Sequence, residues 1–291
     1  MKHLYKYACA YARAYVNHLA CACVCMLMLV GCAEQPATTL TILHTNDTHS
    51  QVEPTDPHAA KNADRGGYAR RMGLIAQERQ ADPNLLLLDA GDFSQGSPYF
   101  NFYRGRVEIE AMNRMGYDAG TLGNHEFDNG LDTLAMVLRL AQFPIVCANY
   151  DCTGTPLEGL VKPYVVLRKA RLKIGVMGIG VSPEDLIAPD KFGAIRYLDP
   201  LPVINETAAL LRDKEHCDVV IVLSHLGTDN INGCSDELLA PQMHGVDIVI
   251  GGHTHHIISR RVADADGHEV LLAQAGKAGL QIGKIVLNLG K

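Results

Sequence analysis

Short apolar runs recur along this chain between longer stretches of helical periodicity. The runs are Leu40–His44, Leu85–Asp89, Ala119–Leu122, Pro144–Ala148, Leu172–Ile179, Val219–Leu223, Val246–Ile250, Val270–Ala273 and Ile282–Leu289. Several are continuous in Val, Ile and Leu, the pattern of strands buried on both faces. Between them, Tyr68–Gln80, Val107–Met115, Leu131–Gln142 and Ile204–Glu215 space apolar residues three and four apart, as helices packed by one face do. This strand–helix alternation predicts an α/β fold whose sheets are mostly parallel and covered by helices. Thr55–Asp64 reads as a loop, and no repeat or low-complexity tract interrupts the chain. No linker divides it after Thr38, so one domain is expected over residues 40–291.

The first 32 residues do not belong to that pattern. They carry Lys2, Lys6 and Arg13 and no acid, then an uncharged apolar run from Leu19 to Val30. The run is too short for a membrane span of about 20 residues. It ends in Leu29-Val30-Gly31-Cys32, followed by the polar Glu34-Gln35-Pro36. This resembles a bacterial lipoprotein signal; a plain signal peptide or an N-terminal anchor is the alternative. The resemblance implies cleavage after residue 31, lipidation of Cys32 and a tether over 32–39. It also implies a place in the cell envelope, outside the cytoplasm, held to a bacterial membrane.

Composition changes the picture in three ways. At 291 residues, 47% hydrophobic and 20% charged, the chain is ordinarily globular. A net charge of −6 argues against a nucleic-acid polymer as partner, which would need a basic face. Tryptophan is absent, so a stacking platform would rest on few rings. Of nine cysteines, Cys147, Cys152, Cys217 and Cys234 lie beyond the expected leader, and none forms a CxxC pair. A zinc ribbon or redox motif is therefore not expected, while the disulfide state stays open. Cys147, in an apolar run, reads as an inert buried thiol.

The chemistry lies where the strand candidates end. Leu40–His44 is followed by Thr45-Asn46-Asp47-Thr48-His49, Leu85–Asp89 by Gly91-Asp92, and Ala119–Leu122 by Gly123-Asn124-His125-Glu126-Phe127-Asp128. Val219–Leu223 is followed by Ser224-His225, and Val246–Ile250 by Gly251-Gly252-His253-Thr254-His255. Sites of α/β sheets sit outside the carboxyl ends of their strands, so these five loops should meet in one crevice. Asp47 and His49 are two apart, as are His253 and His255, which on an extended segment turns each pair to one face. Imidazole, carboxylate and amide donors suit Zn, Mn, Fe, Mg or Ca ions. Two carboxylates and four imidazoles exceed what one four-coordinate ion requires. Two divalent ions would use them, and such a pair suits in-line displacement at phosphorus.

The motifs LHTNDTHS, GDFSQGS, GNHEFDNG, SHLG and GGHTHH, in that order, resemble the metallophosphoesterase domain of the 5′-nucleotidase/UDP-sugar hydrolase family. The closing QAGKAGLQIGKI (Gln274–Ile285) resembles that domain's last strands. The resemblance implies a four-layer α/β/β/α sandwich. It implies one metal on Asp47, His49, Asp92 and His255, and a second on Asp92, Asn124, His225 and His253, with Asp92 bridging. His125 and Asp128 match the family's catalytic pair, and Asn124 and His125 would contact the substrate. The implied reaction is hydrolysis of phosphate esters, most of all nucleoside phosphates, by in-line attack of a metal-activated hydroxide. Runner-up readings are a 2′,3′-cyclic-nucleotide phosphodiesterase/3′-nucleotidase and a non-catalytic metal-binding lipoprotein. Family nucleotidases continue into a second, substrate-holding domain. The expectation here is action on less demanding substrates, or a separately encoded polypeptide supplying that half.

Other residues carry plainer expectations. Asp128 also suits a helix N-cap. His44 reads as structural, and His58, His216, His244 and His268 as solvated. His256 should point away from His255. Arg65-Gly66-Gly67 either opens a helix or approaches the site. Arg70-Arg71 and Arg260-Arg261 read as solvated faces, and Tyr99, Phe100, Phe102 and Tyr103 as packing residues.

Overall fold

The computed structural model describes residues 38–184, 186–229 and 233–289. The expected leader, Cys32 and most of the expected tether lie outside the described residues. No described helix is long and apolar enough to cross a membrane.

The first sheet takes β1 (Thr38–Thr45), β2 (Leu86–Asp89), β3 (Ala119–Gly120), β4 (Ile145–Val146), β6 (Val161–Lys162) and β14 (Gly283–Leu289), in the order β14-β1-β2-β3-β4-β6. From β1 to β6 its neighbours run parallel. The second takes β7 (Tyr164–Lys169), β8 (Leu172–Ile179), β10 (Val219–Ser224), β11 (Ile248–Ile250), β12 (Ile257–Ala263) and β13 (Glu269–Ala275), in the order β12-β13-β11-β10-β8-β7. Its centre is parallel, and both its edges are antiparallel. β5 (Tyr150–Asp151) and β9 (Arg196–Tyr197) form a separate small ladder.

Strand residues alternate between two buried faces, which explains their continuous apolar runs. Leu85 and Leu87 join a core with helices α1 (Tyr68–Ala81), α3 (Arg106–Met115) and α4 (Leu131–Leu138). Leu86 and Leu88 are equally buried on the opposite face. Val220 and Val222 likewise join a core with α6 (Pro200–Ala209), while Val219, Ile221 and Leu223 are buried on the other side. The sheets meet where Ala148 N–H donates to Gly178 O at 2.7 Å. The architecture is the expected α/β sandwich.

Differences from the sequence reading have local causes. α4 stops at Leu138 rather than Gln142, because Asn113 Oδ1 captures the Gln142 N–H at 2.7 Å and Pro144 favours an extended approach. The helix expected over 204–215 begins at Pro200, capped by the Asp199 side chain, and widens into a π turn over Leu210–Lys214. β12 lies outside the sequence expectation because Ser259, Arg260 and Arg261 break its apolar pattern, as edge strands tolerate, while β7 lies outside it although residues 164–167 form an apolar run of four. Short α2 (Pro98–Tyr103), α5 (Pro189–Phe192) and α7 (Asp236–Leu239) lie outside it too.

Candidate metal centre

All five strand-end loops contribute to one cluster. The loop after β1 lies along the loop after β2: Asp47 N–H donates to Gly91 O (2.9 Å) and His49 N–H to Asp92 O (3.0 Å). Asp47 Oδ1 then lies 3.5 Å from His255 Nε2, 3.8 Å from His49 Nε2 and 3.9 Å from His225 Nε2. His49 and His255 bring their Nε2 atoms to 3.0 Å. Asp92 Oδ2 lies 3.1 Å from His225 Nε2. His253 Nδ1 lies 3.1 Å from Asn124 Oδ1.

Two groups of converging ligand atoms result, Asp47–His49–His255 and Asp47–Asp92–His225. Asp47 belongs to both. His125 Nδ1 faces Asp128 Oδ2 at 3.1 Å, and its ring centroid is 5.5 Å from that of His49. The expected catalytic pair is thus in contact beside the metal-ligand candidates. Asp128 follows a 3-10 turn, His125–Phe127, rather than capping α4, whose N-cap is Gly130.

The paired candidate ligands do not share a face by extension. Asp47, His49, Asp92, His253 and His255 all have positive φ, from 41° to 70°. That left-handed region is uncommon for non-glycine residues, though Asp and His enter it more readily than most. Each turn re-aims a side chain, so His253 reaches Asn124 while His255 reaches His49. Such strain gathers where a site over-determines its backbone.

Two supporting residues were missed by the sequence reading. Glu126 is buried, and its carboxylate accepts from Asp92 N–H (2.9 Å), Gly123 N–H (2.7 Å) and Ser94 N–H (3.0 Å), locking two loops together. Burial pushes its carboxyl up to about 7. Asn46 accepts from Ala275 N–H (2.8 Å) and donates to Gly276 O (2.7 Å), tying the first loop to the end of β13. Their only sequence signal was adjacency to the ligands.

The donor set fits divalent cations. His225 is wholly buried, its Nδ1 is engaged with Ala90 O at 2.7 Å, and its Nε2 has no hydrogen-bond partner. With Nδ1–H donating to Ala90 O, a cation that displaces the Nε2 proton would meet the lone pair there, as a metal-binding imidazole needs. Burial opposes protonation of this ring, but Asp92 and Asp47 outweigh it and push His225 up to about 10. His253 is pushed down to about 4, first by burial and then by His225. His49 is also lowered, chiefly by burial. His125 is raised: burial works against protonation, and the Asp128 hydrogen bond and the Asp92 charge prevail. A Cβ on Gly123 would stand 2.1 Å from Asp92 Oδ1 and 2.6 Å from His225 Nε2, so only glycine fits there.

Residues outside the cluster divide as follows. His256 Nδ1 engages Thr228 Oγ1 at 2.8 Å, away from the ligands. Gly67 is the N-cap of α1. Arg70 pairs with Asp64, but Arg71 is only 4% exposed, correcting its reading as solvated; it lies 4.9 Å from the Tyr68 ring centroid. Arg260 and Arg261 pair with Glu237 and Glu269 at the surface. Of the four aromatic residues, Phe100 is buried while Phe102 and Tyr103 are exposed, so packing accounts for only part of the group. Cys147, Cys152, Cys217 and Cys234 are free thiols, and burial pushes the Cys147 thiol far up.

Comparison with known proteins agrees with this geometry. The calcineurin-like phosphoesterase family matches residues 40–256. Human 5′-nucleotidase is 37% identical over 79% of this chain and 41% of its own length. A Tabanus yao apyrase is 33% identical over 87% of this chain and 48% of its own. The chain thus spans half or less of the length of these curated relatives. Among solved structures, a 5′-nucleotidase precursor from Thermus thermophilus superposes with a TM-score of 0.78 at 33% identity, over 86% of this chain and 51% of its own. The Bacillus subtilis calcineurin-like phosphoesterase YfkN gives 0.72 at 29% identity, over 88% of this chain and 86% of its own. Enzymes of this kind work with a pair of divalent ions, and the two ligand groups joined through Asp47 accord with that. By sequence match, by fold and by the residues gathered at its strand ends, the chain belongs to the calcineurin-like phosphoesterase family.

Proposed function

We propose that this chain hydrolyses nucleoside phosphates in the manner of a 5′-nucleotidase. The observation that carries the reading is the buried Nε2 of His225, 3.1 Å from Asp92 Oδ2 and 3.9 Å from Asp47 Oδ1, with the His125–Asp128 pair beside it. In this reading Asp47, His49, Asp92 and His255 hold one ion, and Asp92, Asn124, His225 and His253 the other. Two divalent ions bound there supply charge neutralisation at the phosphoryl group and activation of water for in-line displacement. Asn124, besides offering Oδ1, carries an amide N–H pair that would donate to a phosphoryl oxygen. Asp128 holds His125 through Nδ1, which leaves Nε2–H to protonate the departing ester oxygen. Such a positioned acid contributes about 10²–10⁴-fold.

The relatives named 5′-nucleotidase and apyrase weigh for a nucleotide substrate. A substrate-holding domain, in trans or beyond this span, is the partner the reading carries with it. The domain over 40–291 is read as following a lipoprotein leader, with Cys32 as membrane anchor. Cys32→Ser should then release the protein from the membrane fraction or leave the leader uncleaved. A variant still membrane-bound with its leader removed places the anchor elsewhere.

The deciding experiment is a substrate panel with added Mn²⁺: nucleoside 5′-monophosphates, UDP-sugars, 2′,3′-cyclic nucleotides and an aryl phosphate. The 5′-monophosphates should release phosphate fastest. Faster turnover of the cyclic nucleotides would transfer the reading to a phosphodiesterase. Release from none of them would leave a metal-binding protein without catalysis.

A further inference from the structure

A second cluster of metal-ligand side chains lies in the hairpin between β12 and β13, where the chain turns through Asp264-Ala265-Asp266-Gly267-His268. One ligand atom from each of Asp264, Asp266 and His268 falls within 4.8 Å of the other two. Asp264 Oδ1 is committed to the turn, accepting from Asp266 N–H at 2.9 Å and His268 N–H at 2.8 Å. Asp264 Oδ2 has no hydrogen-bond partner, although the side chain is only 1% exposed. Keeping a carboxylate oxygen from water without a donor is costly. His268 Nδ1, at 3.8 Å, is too far to hydrogen-bond it.

We infer that the hairpin tip is a separate site for one divalent ion of the Zn²⁺ class, held by Asp264 Oδ2, Asp266 and His268 Nδ1. An imidazole with two carboxylates suits a borderline divalent ion, whereas Ca²⁺ and Mg²⁺ prefer oxygen ligands throughout. Asp264 is fixed by the turn, and the exposed Asp266 and His268 rotate to close the remaining distance. His244 Nδ1 lies 2.9 Å from Asp266 Oδ2 and braces that carboxylate from outside, as supporting partners of metal ligands do. Water completes the coordination. β12 spans Ile257–Ala263, which sets the tip roughly 20 Å along the strand from His255. An ion there pins the hairpin and takes no part in phosphate-ester cleavage.

The test is equilibrium dialysis of the whole protein against Zn²⁺, with bound metal read by elemental analysis. His268→Ala should bind one equivalent fewer than the wild type, with turnover unchanged. The His268 side chain is 78% exposed, so its removal leaves the core intact. Asp264→Asn, which keeps the Oδ1 acceptor and removes the charge, should lose the same equivalent. In the wild type, Zn²⁺ should also displace the His268 ring-nitrogen signal in a ¹⁵N spectrum. The comparison is a difference between proteins, so it does not depend on how many ions the strand-end cluster binds. Equal zinc content in the wild type and His268→Ala, or a His268 signal unmoved by zinc, would overturn the inference.

Discussion

β1 and the loop after β10 each bury a histidine, and the two rings behave oppositely. His44 is 3% exposed and His225 0%. Each has one ring nitrogen without a hydrogen-bond partner, Nδ1 in His44 and Nε2 in His225. Around His44 burial acts alone and pushes its pKa down to about 4. Around His225 burial pulls the same way, yet Asp92 and Asp47 push it up to about 10. Burial and an orphaned nitrogen therefore do not by themselves mark a ligand; carboxylates beside that nitrogen do. The packing around the two is alike. A Cβ on Gly283 would stand 1.9 Å from His44 Nε2, just as Gly123 leaves room for His225. The strand seals a neutral ring into a core, whereas the loop keeps a ring among charges that a cation would satisfy.

The largest expected effect lies on the loop side. Asp92→Asn should lose more than one metal ion per chain, with turnover down by about three orders of magnitude or more, roughly 4 kcal/mol. Asp47→Asn is the companion, because Asp47 Oδ1 approaches the histidines of both groups. Metal analysis showing that Asp92→Asn loses one ion or none would move the bridging role away from Asp92.

His125→Ala should keep its metal content and lower turnover by roughly two orders of magnitude or more, about 2.7 kcal/mol at the lower bound. Should metal leave with the ring, His125 would be a ligand rather than the proton donor.

On the strand side the expected effect is on stability. The folded state holds His44 at about 4, below the usual 6.5 or so of the unfolded chain. Between those values the unfolded chain binds the extra proton. Stability is therefore full above about pH 6.5 and falls by up to roughly 3 kcal/mol as pH drops to about 4. Denaturant titrations across this window should show the slope in the wild type and a shallower one in His44→Leu, where His253, also pushed down to about 4, contributes what remains. An unchanged slope in that variant would mean that other groups carry the pH dependence.

The same contrast accounts for what could be read along the chain. The five loops of candidate ligands were legible because each polar cluster follows an apolar run, and strand ends of an α/β sheet converge by topology. Disulfide pairing was not decidable from spacing, and the structure leaves Cys147, Cys152, Cys217 and Cys234 unpaired. Arg71 read as surface because a charged pair at a helix start usually is, yet it is buried against Tyr68. β12 was missed because its pattern is that of an exposed edge, and the four apolar residues that open β7 form a run too short to stand out beside the long buried run of β8.

Local pattern sufficed for the α/β class, the places of the principal strands along the chain and the residue types at their carboxyl ends, since apolar periodicity and strand-end polarity are properties of neighbouring residues. Tertiary structure alone decided that Asp47 stands between both groups of histidines, that His253 and His255 part company toward Asn124 and His49, and that Glu126 clamps the Asp92 loop. These contacts join residues far apart in the chain through left-handed turns. A turn of that hand is held by the hydrogen bonds of the loop opposite, which no stretch of sequence contains on its own.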